Sequence, residues 1–164
     1  MKKLFLIRHA KSSWKNPELE DFDRPLNKRG KNDAPLMAEL LKEENMFPDL
    51  ILTSPAKRAF QTAVIFADIL NYSLEKIMLH KRLYEPDVDD FENVLKNITD
   101  NINTLFVISH NPGITAFNNY ISDKRIDNIP TTGICQIELN IKSWKKISLD
   151  CGKILSFDYP KKYK

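Results

Sequence analysis

The stretch from Lys2 to Ser13 reads KKLFLIRHAKSS, and it decides which fold the chain is expected to adopt. The apolar residues Leu4 to Ile7 follow one another without alternation, which is typical of a strand buried on both faces of a parallel sheet. Arg8 and His9 come next, where this strand leaves the sheet. Ligands of open α/β sheets bind beyond the carboxyl ends of strands, so this pair predicts an anion site. The alternative is a polar end to a core strand.

The whole chain has the size and composition of one globular domain, residues 1–164. Its 42% hydrophobic and 29% charged residues are ordinary for a soluble protein, and no apolar run is long enough to span a membrane. The apolar run after Lys2 and Lys3 is too short for a signal peptide. We therefore expect a cytoplasmic protein that does not bind membranes.

The charge distribution argues against nucleic-acid binding, and the cysteines argue against a disulfide or a metal site. The net charge is +3, but the basic residues are scattered, except in the tail formed by Lys161, Lys162 and Lys164, which we expect to be solvated. Without a basic stripe or a stacking motif, nucleic-acid binding is not expected. Cys135 and Cys151 lack a C-x-x-C spacing and have no metal-binding companions nearby, so we expect reduced thiols.

Strand and helix patterns alternate along most of the chain. Further buried strands are predicted at 50–52 and 104–108, with a weaker one at 77–80. Amphipathic helices are predicted at 56–70, from Asp89 onward, and at 113–121. Asn27 can cap another helix that runs towards Asn45, although Gly30 and Pro35 favour a start around 33–35.

The C-terminal part has a different pattern. Apolar residues alternate with polar ones from Cys135 to Ile141, and 153–159 resembles a last strand, which together predict an antiparallel edge pair. The polar segment 130–133 is either a plain turn or one that reaches the predicted site. The predicted fold is a three-layer α/β/α sandwich with a mostly parallel central sheet, helices on both faces and an antiparallel C-terminal edge.

A second strand repeats the design of the first. FLI followed by Arg8-His9 corresponds to FVI followed by Ser109-His110, and each histidine stands just past a buried strand. Neighbouring strands would place both histidines in one pocket, with Arg58 at the N-terminal end of a helix and the start of helix 113–121 aimed at it. His80 lacks this strand-end context and is expected to be structural or exposed.

Two arginines and two histidines predict a phosphate site. They offer donors for three phosphoryl oxygens, and the glycine-rich loop of nucleoside triphosphatases is missing. A neutral imidazole is a good nucleophile near pH 7. Paired histidines also suit a metal, but arginines among the ligands would repel a cation, and no carboxylate is tied to either histidine by local spacing.

These motifs resemble the histidine phosphatase superfamily, which includes phosphoglycerate mutases. The resemblance rests on Arg8-His9, on SP--RA-QTA from Ser54 to Ala63, and on Ser109-His110, and it covers the chain up to about residue 133. The short length, RHAKSSW at 8–14 and DRPLN at 23–27 resemble the small bacterial branch of SixA-type phosphohistidine phosphatases. The resemblance implies no cofactor and no metal.

The resemblance also implies roles for individual residues. His9 would attack phosphorus and become a phosphohistidine that water hydrolyses, while Arg8, Arg58 and His110 would hold the phosphoryl oxygens. Glu85, in Leu83-Tyr84-Glu85, matches the family's proton donor, but the Gly-x-Trp-Glu-Gly-like sequence that usually follows is absent here. Asp23, on the loop after the first strand, is therefore a competing candidate for the acid.

The resemblance and the missing Gly-x-Trp-Glu-Gly-like sequence also bear on the substrate class. Phosphohistidine has a good leaving group and needs less acid catalysis than an alkyl phosphate, so a phosphorylated protein is the expected partner and substrate. The alternatives are a small-molecule phosphomonoesterase or mutase-like enzyme, and a non-catalytic module that only binds phosphate. A nucleic-acid adaptor would require steeply salt-dependent binding to DNA or RNA.

Overall fold

The computed structural model describes the whole chain, residues 1–164. Its sheet contains β1 (Lys2–Arg8), β2 (Leu50–Thr53), β3 (Met78–Leu79), β4 (Thr104–Ser109), β5 (Ile134–Leu139) and β6 (Gly152–Asp158). The helices are α1 (Lys28–Glu43), α2 (Lys57–Ile69), α3 (Val88–Lys96) and α4 (Gly113–Ile121). The strand order is β3-β2-β4-β1-β5-β6. The first four of these strands are parallel neighbours, and β5 and β6 are antiparallel, as predicted.

The two faces of β1 belong to two separate hydrophobic clusters. Leu4 and Leu6 pack in the cluster that contains the apolar faces of α3 and α4. Phe5 and Ile7 pack in the cluster that contains those of α1 and α2. All four side chains are fully buried, as expected for a central strand covered on both sides. The predicted three-layer sandwich is therefore confirmed.

The N-terminal half of α1 corrects one expectation. The helix begins at Lys28, not around 33–35, and the Asn27 side chain caps it by accepting from the Gly30 N–H at 2.8 Å. Pro35 lies inside the helix. A Cβ at Gly30 would collide with the backbone carbonyl of Lys11, so this glycine serves a close approach between two segments. The cap and this contact outweigh the low helix propensity of the first two turns.

The helix before β4 also differs slightly from its predicted bounds. α3 begins at Val88, because Asp87 caps it and forms a capping box with Asp90. The predicted start at Asp89-Asp90 is thus slightly late. The weak strand at 77–80 forms only as Met78–Leu79, an exposed strand at the edge of the sheet.

The basic tail is exposed to solvent, as expected, but two of its lysines also form ion pairs. Lys164 Nζ lies 2.6 Å from the carboxylate of Asp33, which is fully buried in α1, and Arg29 approaches the same carboxylate at 3.4 Å. Lys162 contacts Asp158 at 3.4 Å. A buried carboxylate needs such cationic partners, so the tail is held against α1.

Two remaining sequence features can be placed. Cys135 is buried and Cys151 is half-buried, and both are free. Burial raises the pKa of the Cys135 thiol to about 12, which keeps it protonated and unreactive. The longest helix, α1, has 16 residues, and none of the helices combines the length and apolarity needed to cross a membrane.

Candidate active site

The pairing of β1 with β4 brings the two histidines together. Arg8 lies opposite Ser109 in this parallel pair, so the residues that follow, His9 and His110, leave the sheet side by side. Their ring centroids are 4.9 Å apart. β2 is the other neighbour of β4, and α2 starts just after it, which places Arg58 in the first turn of a helix at the same edge.

One cavity of about 240 Å³ collects the strand-end residues. It holds four of the predicted site residues together with five that were not predicted. Its lining consists of Arg8, His9, Lys11, Ser12, Trp14, Arg24, Arg58, His110 and Asn111. This lining contains no carboxylate and carries several positive charges, so the cavity suits an anion.

The ring of His9 has a defined tautomer. Its Nδ1 lies 2.7 Å from the backbone carbonyl of Ala10, which can only accept, so Nδ1 carries the hydrogen and Nε2 keeps its lone pair. Burial lowers the pKa of His9 to about 3, against the opposing effect of this hydrogen bond, and the nearby arginines lower it further. His9 is therefore a neutral imidazole at pH 7, and its Nε2 makes no hydrogen bond within the protein.

The backbone around His9 is fixed from three sides. The Ala10 N–H donates to Thr62 Oγ1 at 3.0 Å, and the Thr62 hydroxyl donates to the Arg58 carbonyl. The His9 N–H donates to the Ser109 carbonyl, and the Thr132 N–H approaches the carbonyls of Arg8 and His9. The turn at 130–133 therefore reaches the site, and it does so through its backbone.

His110 is held through its other ring nitrogen, Nε2. Its Nε2 lies 2.7 Å from the hydroxyl of Ser54, which also accepts from the Ala56 N–H. The Ser54 oxygen keeps a second lone pair as well as its own hydrogen, so it can hold His110 Nε2 either as donor or as acceptor, and in both cases His110 Nδ1 has no partner. Burial lowers the pKa of His110 to about 3, and the neighbouring His9 and Arg58 act in the same direction.

Asp21 links two arginines at the rim of the cavity. Arg58 donates to both the backbone carbonyl and the carboxylate of Asp21, at 2.6 and 2.9 Å. Arg24 and the hydroxyl of Tyr84 donate to the same carboxylate. Burial alone would raise the pKa of Asp21, but these three hydrogen bonds hold it well below its usual range. Asp21 is thus an anion that orients the two guanidinium groups.

Arg24 is a third arginine of the cavity that sequence reasoning did not assign. Its guanidinium lies 3.2 Å from the ring centroid of Trp14 and is itself buried, while Trp14 is 73% exposed. It also donates to the hydroxyl of Ser12 and the carbonyl of Ser13. The available signal in the sequence is its place in the motif Asp23-Arg24-Pro25-Leu26-Asn27, which carries part of the family resemblance.

Arg8 projects towards the loop before β5. Its Nη1 donates to the carbonyl of Ile129 at 3.0 Å, while its buried Nε has no partner. Burial and the charge of Arg58 lower the pKa of Arg8. An anion bound between the two guanidinium groups would relieve this repulsion.

The two candidates for the proton donor lie outside the lining of the cavity. Glu85 has a backbone φ of 52°, its side chain is exposed, and it forms neither a hydrogen bond nor an ion pair. The nearby Arg82 pairs with Asp90 and not with Glu85. Asp23 is exposed on the short 3-10 turn Asp21–Asp23 at the rim. The role of each in the reaction stays a prediction.

His80 and the metal-ligating residue types lie elsewhere. His80 caps a short 3-10 turn by accepting from the Arg82 N–H, in the structural role that was expected for it. The chain contains no group of three or more histidine, cysteine, aspartate or glutamate side chains placed to hold a metal ion.

Known proteins share both sequence and fold with this chain. The model of the histidine phosphatase superfamily, branch 1, matches residues 4–113, a range that includes both histidines of the cavity. An uncharacterized chloroplastic protein of Arabidopsis thaliana is 32% identical over 120 residues, which are 68% of this chain. The matched region spans about half, 55%, of that plant protein.

Two solved structures share the whole architecture. The protein histidine phosphatase SixA in complex with tungstate aligns with a TM-score of 0.85 and 24% identity, covering 99% of each chain. A SixA-type protein from Agrobacterium tumefaciens aligns with a TM-score of 0.82 and 25% identity, covering 97% of this chain and 98% of the other. The first of these likenesses concerns the fold alone. The chain belongs to branch 1 of the histidine phosphatase superfamily, and within it has the architecture of the SixA-type proteins.

Proposed function

We propose that this protein is a phosphatase that removes the phosphoryl group from protein phosphohistidine, and that His9 carries the phosphoryl group between two half-reactions. The observation that carries the proposal is the state of His9. Its ring is neutral, its Nδ1 is engaged by the Ala10 carbonyl, and its Nε2 lone pair is free in a cavity lined by three arginines.

In the first half-reaction, His9 Nε2 attacks phosphorus and the bond between phosphorus and the substrate's ring nitrogen breaks. The electron pair of that bond leaves with the substrate's imidazole, which takes up a proton. The phosphoryl group is now on His9. The rigid support of Ala10 by Thr62 favours this step, because a fixed nucleophile requires no reorganisation before attack.

The second half-reaction restores the enzyme. Water attacks phosphorus, the bond to His9 Nε2 breaks, and inorganic phosphate leaves with the oxygen of that water. The net reaction is phosphohistidine plus water to histidine plus phosphate.

Positive charge around the cavity stabilises both transition states. Arg8, Arg24 and Arg58 supply guanidinium donors for the equatorial phosphoryl oxygens, and His110 adds the ring nitrogen that the protein leaves unpaired. Asp21 holds Arg24 and Arg58 in place from the rim. Such electrostatic positioning is the main protein contribution to phosphoryl transfer.

The absence of carboxylates from the cavity lining favours phosphohistidine over alkyl phosphates. An alkoxide leaving group needs a proton from a well-placed acid, whereas an imidazole leaves with much less help. The rim also suits a protein substrate, because Trp14, which lines the cavity, and Phe22, which packs on the rim residue Tyr84, are both exposed.

A side-by-side assay tests this function. Purified protein is offered a phosphohistidine peptide, p-nitrophenyl phosphate and 3-phosphoglycerate, and release of inorganic phosphate is measured. We expect kcat/KM for the phosphohistidine peptide to exceed the value for 3-phosphoglycerate by at least about 10³, since the alkoxide leaving group of the ester needs an acid far more than the imidazole leaving group does.

The other outcomes identify the alternatives. Preferred hydrolysis of 3-phosphoglycerate would show a small-molecule phosphomonoesterase or a mutase-like enzyme. Phosphate binding without turnover of any of the three would show a module that only binds phosphate.

A further inference from the structure

We infer that a groove beside the catalytic cavity docks an acidic segment of the phosphorylated substrate protein, an inference that rests on the proposed function. The docking groove consists of two adjoining depressions that share Leu26 and Lys31. One is basic and the other is apolar. Neither contributes a residue to the catalytic cavity.

The basic depression has a volume of about 470 Å³ and contains three lysines, Lys15, Lys28 and Lys31. No carboxylate lines it, and none of the three lysines forms an ion pair. The first turn of α1, which carries Lys28, has no acidic residue either. Like charges gathered without counter-ions repel one another and the positive end of the helix, so they contribute nothing to folding there. An acidic ligand would relieve this repulsion.

The apolar depression continues the groove along α2. It has a volume of about 420 Å³ and is lined by Phe60, Val64 and Ile65 beside the shared residues. Phe60 is 38% exposed. A partner segment that carries acidic side chains and one apolar side chain would therefore find both complements within one groove.

The docking groove and the catalytic cavity are lined by neighbouring residues of one short segment. Lys11 to Ser13 pairs with Pro25 to Asn27 through the Ser12–Leu26 bridge and two flanking backbone hydrogen bonds. Lys11, Ser12 and Trp14 line the cavity, whereas Ser13 and Lys15 line the groove. A substrate whose phosphohistidine enters the cavity can thus lay its neighbouring residues across this segment into the groove.

Two peptides of equal length provide the test. One carries glutamate, aspartate and a leucine on both sides of a phosphohistidine, and the other carries glutamine and asparagine in place of the acids. We expect the wild type to favour the acidic peptide by about tenfold in kcat/KM at low ionic strength, mainly through KM, and less as salt is added.

Charge reversal in the groove should remove this preference. The variant Lys15→Glu, Lys28→Glu, Lys31→Glu is compared with Lys142→Glu, Lys145→Glu, Lys146→Glu, which changes the net charge equally on exposed residues near β5. The groove variant loses the preference for the acidic peptide and keeps its kcat/KM for phosphoramidate within about twofold, while the control keeps both. Lys15→Glu alone, in a loop, shows a smaller loss without any risk to α1. Phe60→Ser lowers kcat/KM for both peptides, which share the leucine, and leaves kcat/KM for phosphoramidate unchanged.

Four results would overturn the docking proposal. They are an absent preference in the wild type, an equal loss in the control variant, a parallel loss of phosphoramidate turnover in both groove variants, and failure of the wild type to hydrolyse either peptide. Only the last would also refute the proposed function. The first three leave phosphohistidine hydrolysis intact.

Discussion

The two strand-end histidines of this protein have similar surroundings but are held through opposite ring nitrogens. His9 is fixed at Nδ1 by the Ala10 carbonyl, and this leaves an unpaired Nε2 with a lone pair. His110 is fixed at Nε2 by the Ser54 hydroxyl, and this leaves Nδ1 unpaired. The Ala10 carbonyl can only accept a hydrogen and so sets the tautomer of His9, whereas the Ser54 hydroxyl can either donate or accept, so what the two contacts set apart is the ring nitrogen that stays free. This difference underlies the proposal that His9 is the nucleophile and that His110 binds phosphate.

The largest expected effect separates the two histidines directly. His9→Ala removes the nucleophile, and we expect kcat to fall by at least about 10⁴. His110→Ala removes one contact to the phosphoryl group, and we expect a loss of about 10² to 10³. Steady-state kinetics with a phosphohistidine peptide measures both, and circular dichroism checks that each variant is folded. Equal losses would erase the proposed difference in roles.

Removal of the hydroxyl that holds His110 should have a smaller effect. Ser54→Ala removes the hydrogen bond that holds the ring, and we expect kcat to fall by about tenfold while His9 remains competent. Thr53→Val is the matched control, because the Thr53 hydroxyl is equally buried but donates to the backbone carbonyl of Ser54. If the two variants behave alike, the contact between Ser54 and His110 does not position the ring.

Both histidines should make stability depend on pH. Their pKa values are about 3 in the folded protein, whereas the unfolded chain binds protons below about 6.5. The free energy of unfolding is therefore fully retained above pH 6.5 and falls as the pH is lowered from there, by about 1 to 2 kcal/mol per histidine between pH 7 and pH 5.

Chemical denaturation at pH 7, 6 and 5 measures this dependence. The double variant His9→Gln, His110→Gln should show a flatter decline than the wild type, whatever its stability at pH 7. The same slope in both proteins would mean that the two imidazoles are not buried in the neutral form.

The smallest effect on phosphohistidine hydrolysis is expected at the predicted proton donor. Glu85→Gln should slow hydrolysis of alkyl phosphates strongly but that of phosphohistidine by less than about threefold, since the poorer leaving group needs the proton more. The matched variant is Asp23→Asn. Small and equal effects of Glu85→Gln on both substrates would remove Glu85 from the mechanism, and a selective effect of Asp23→Asn would assign the acid to Asp23.

The sequence predicts the cavity residues that stand at strand ends and at a helix start, but not those that loops bring to its rim. Arg8, His9 and His110 follow buried strands whose apolar runs are visible in the sequence, and parallel pairing then brings them to one edge. Arg58 was found because it stands in the first turn of an amphipathic helix. Local patterns and sheet topology are enough to locate these four residues.

The residues at the rim of the cavity could not be predicted in this way. Asp21 and Tyr84 are far apart in the chain and meet through one hydrogen bond of 2.7 Å between loops. Arg24 is buried by stacking on Trp14, a contact that no periodic pattern encodes. The start of α1 is an intermediate case, because its cap, Asn27, was predicted from the sequence, whereas the approach of Gly30 to Lys11 was not. Contacts between irregular segments are fixed by tertiary packing, which the sequence does not display.

Trapping of the phosphoryl group tests the central claim most directly. The enzyme is mixed with a substrate labelled in its phosphoryl group, quenched in base within milliseconds, and digested for mass spectrometry. We predict a label on His9 that is stable to base and lost in acid, and none in His9→Ala. A label on His110, a label that survives acid, or turnover without any phosphoenzyme under these conditions would contradict the assignment of His9 as the nucleophile.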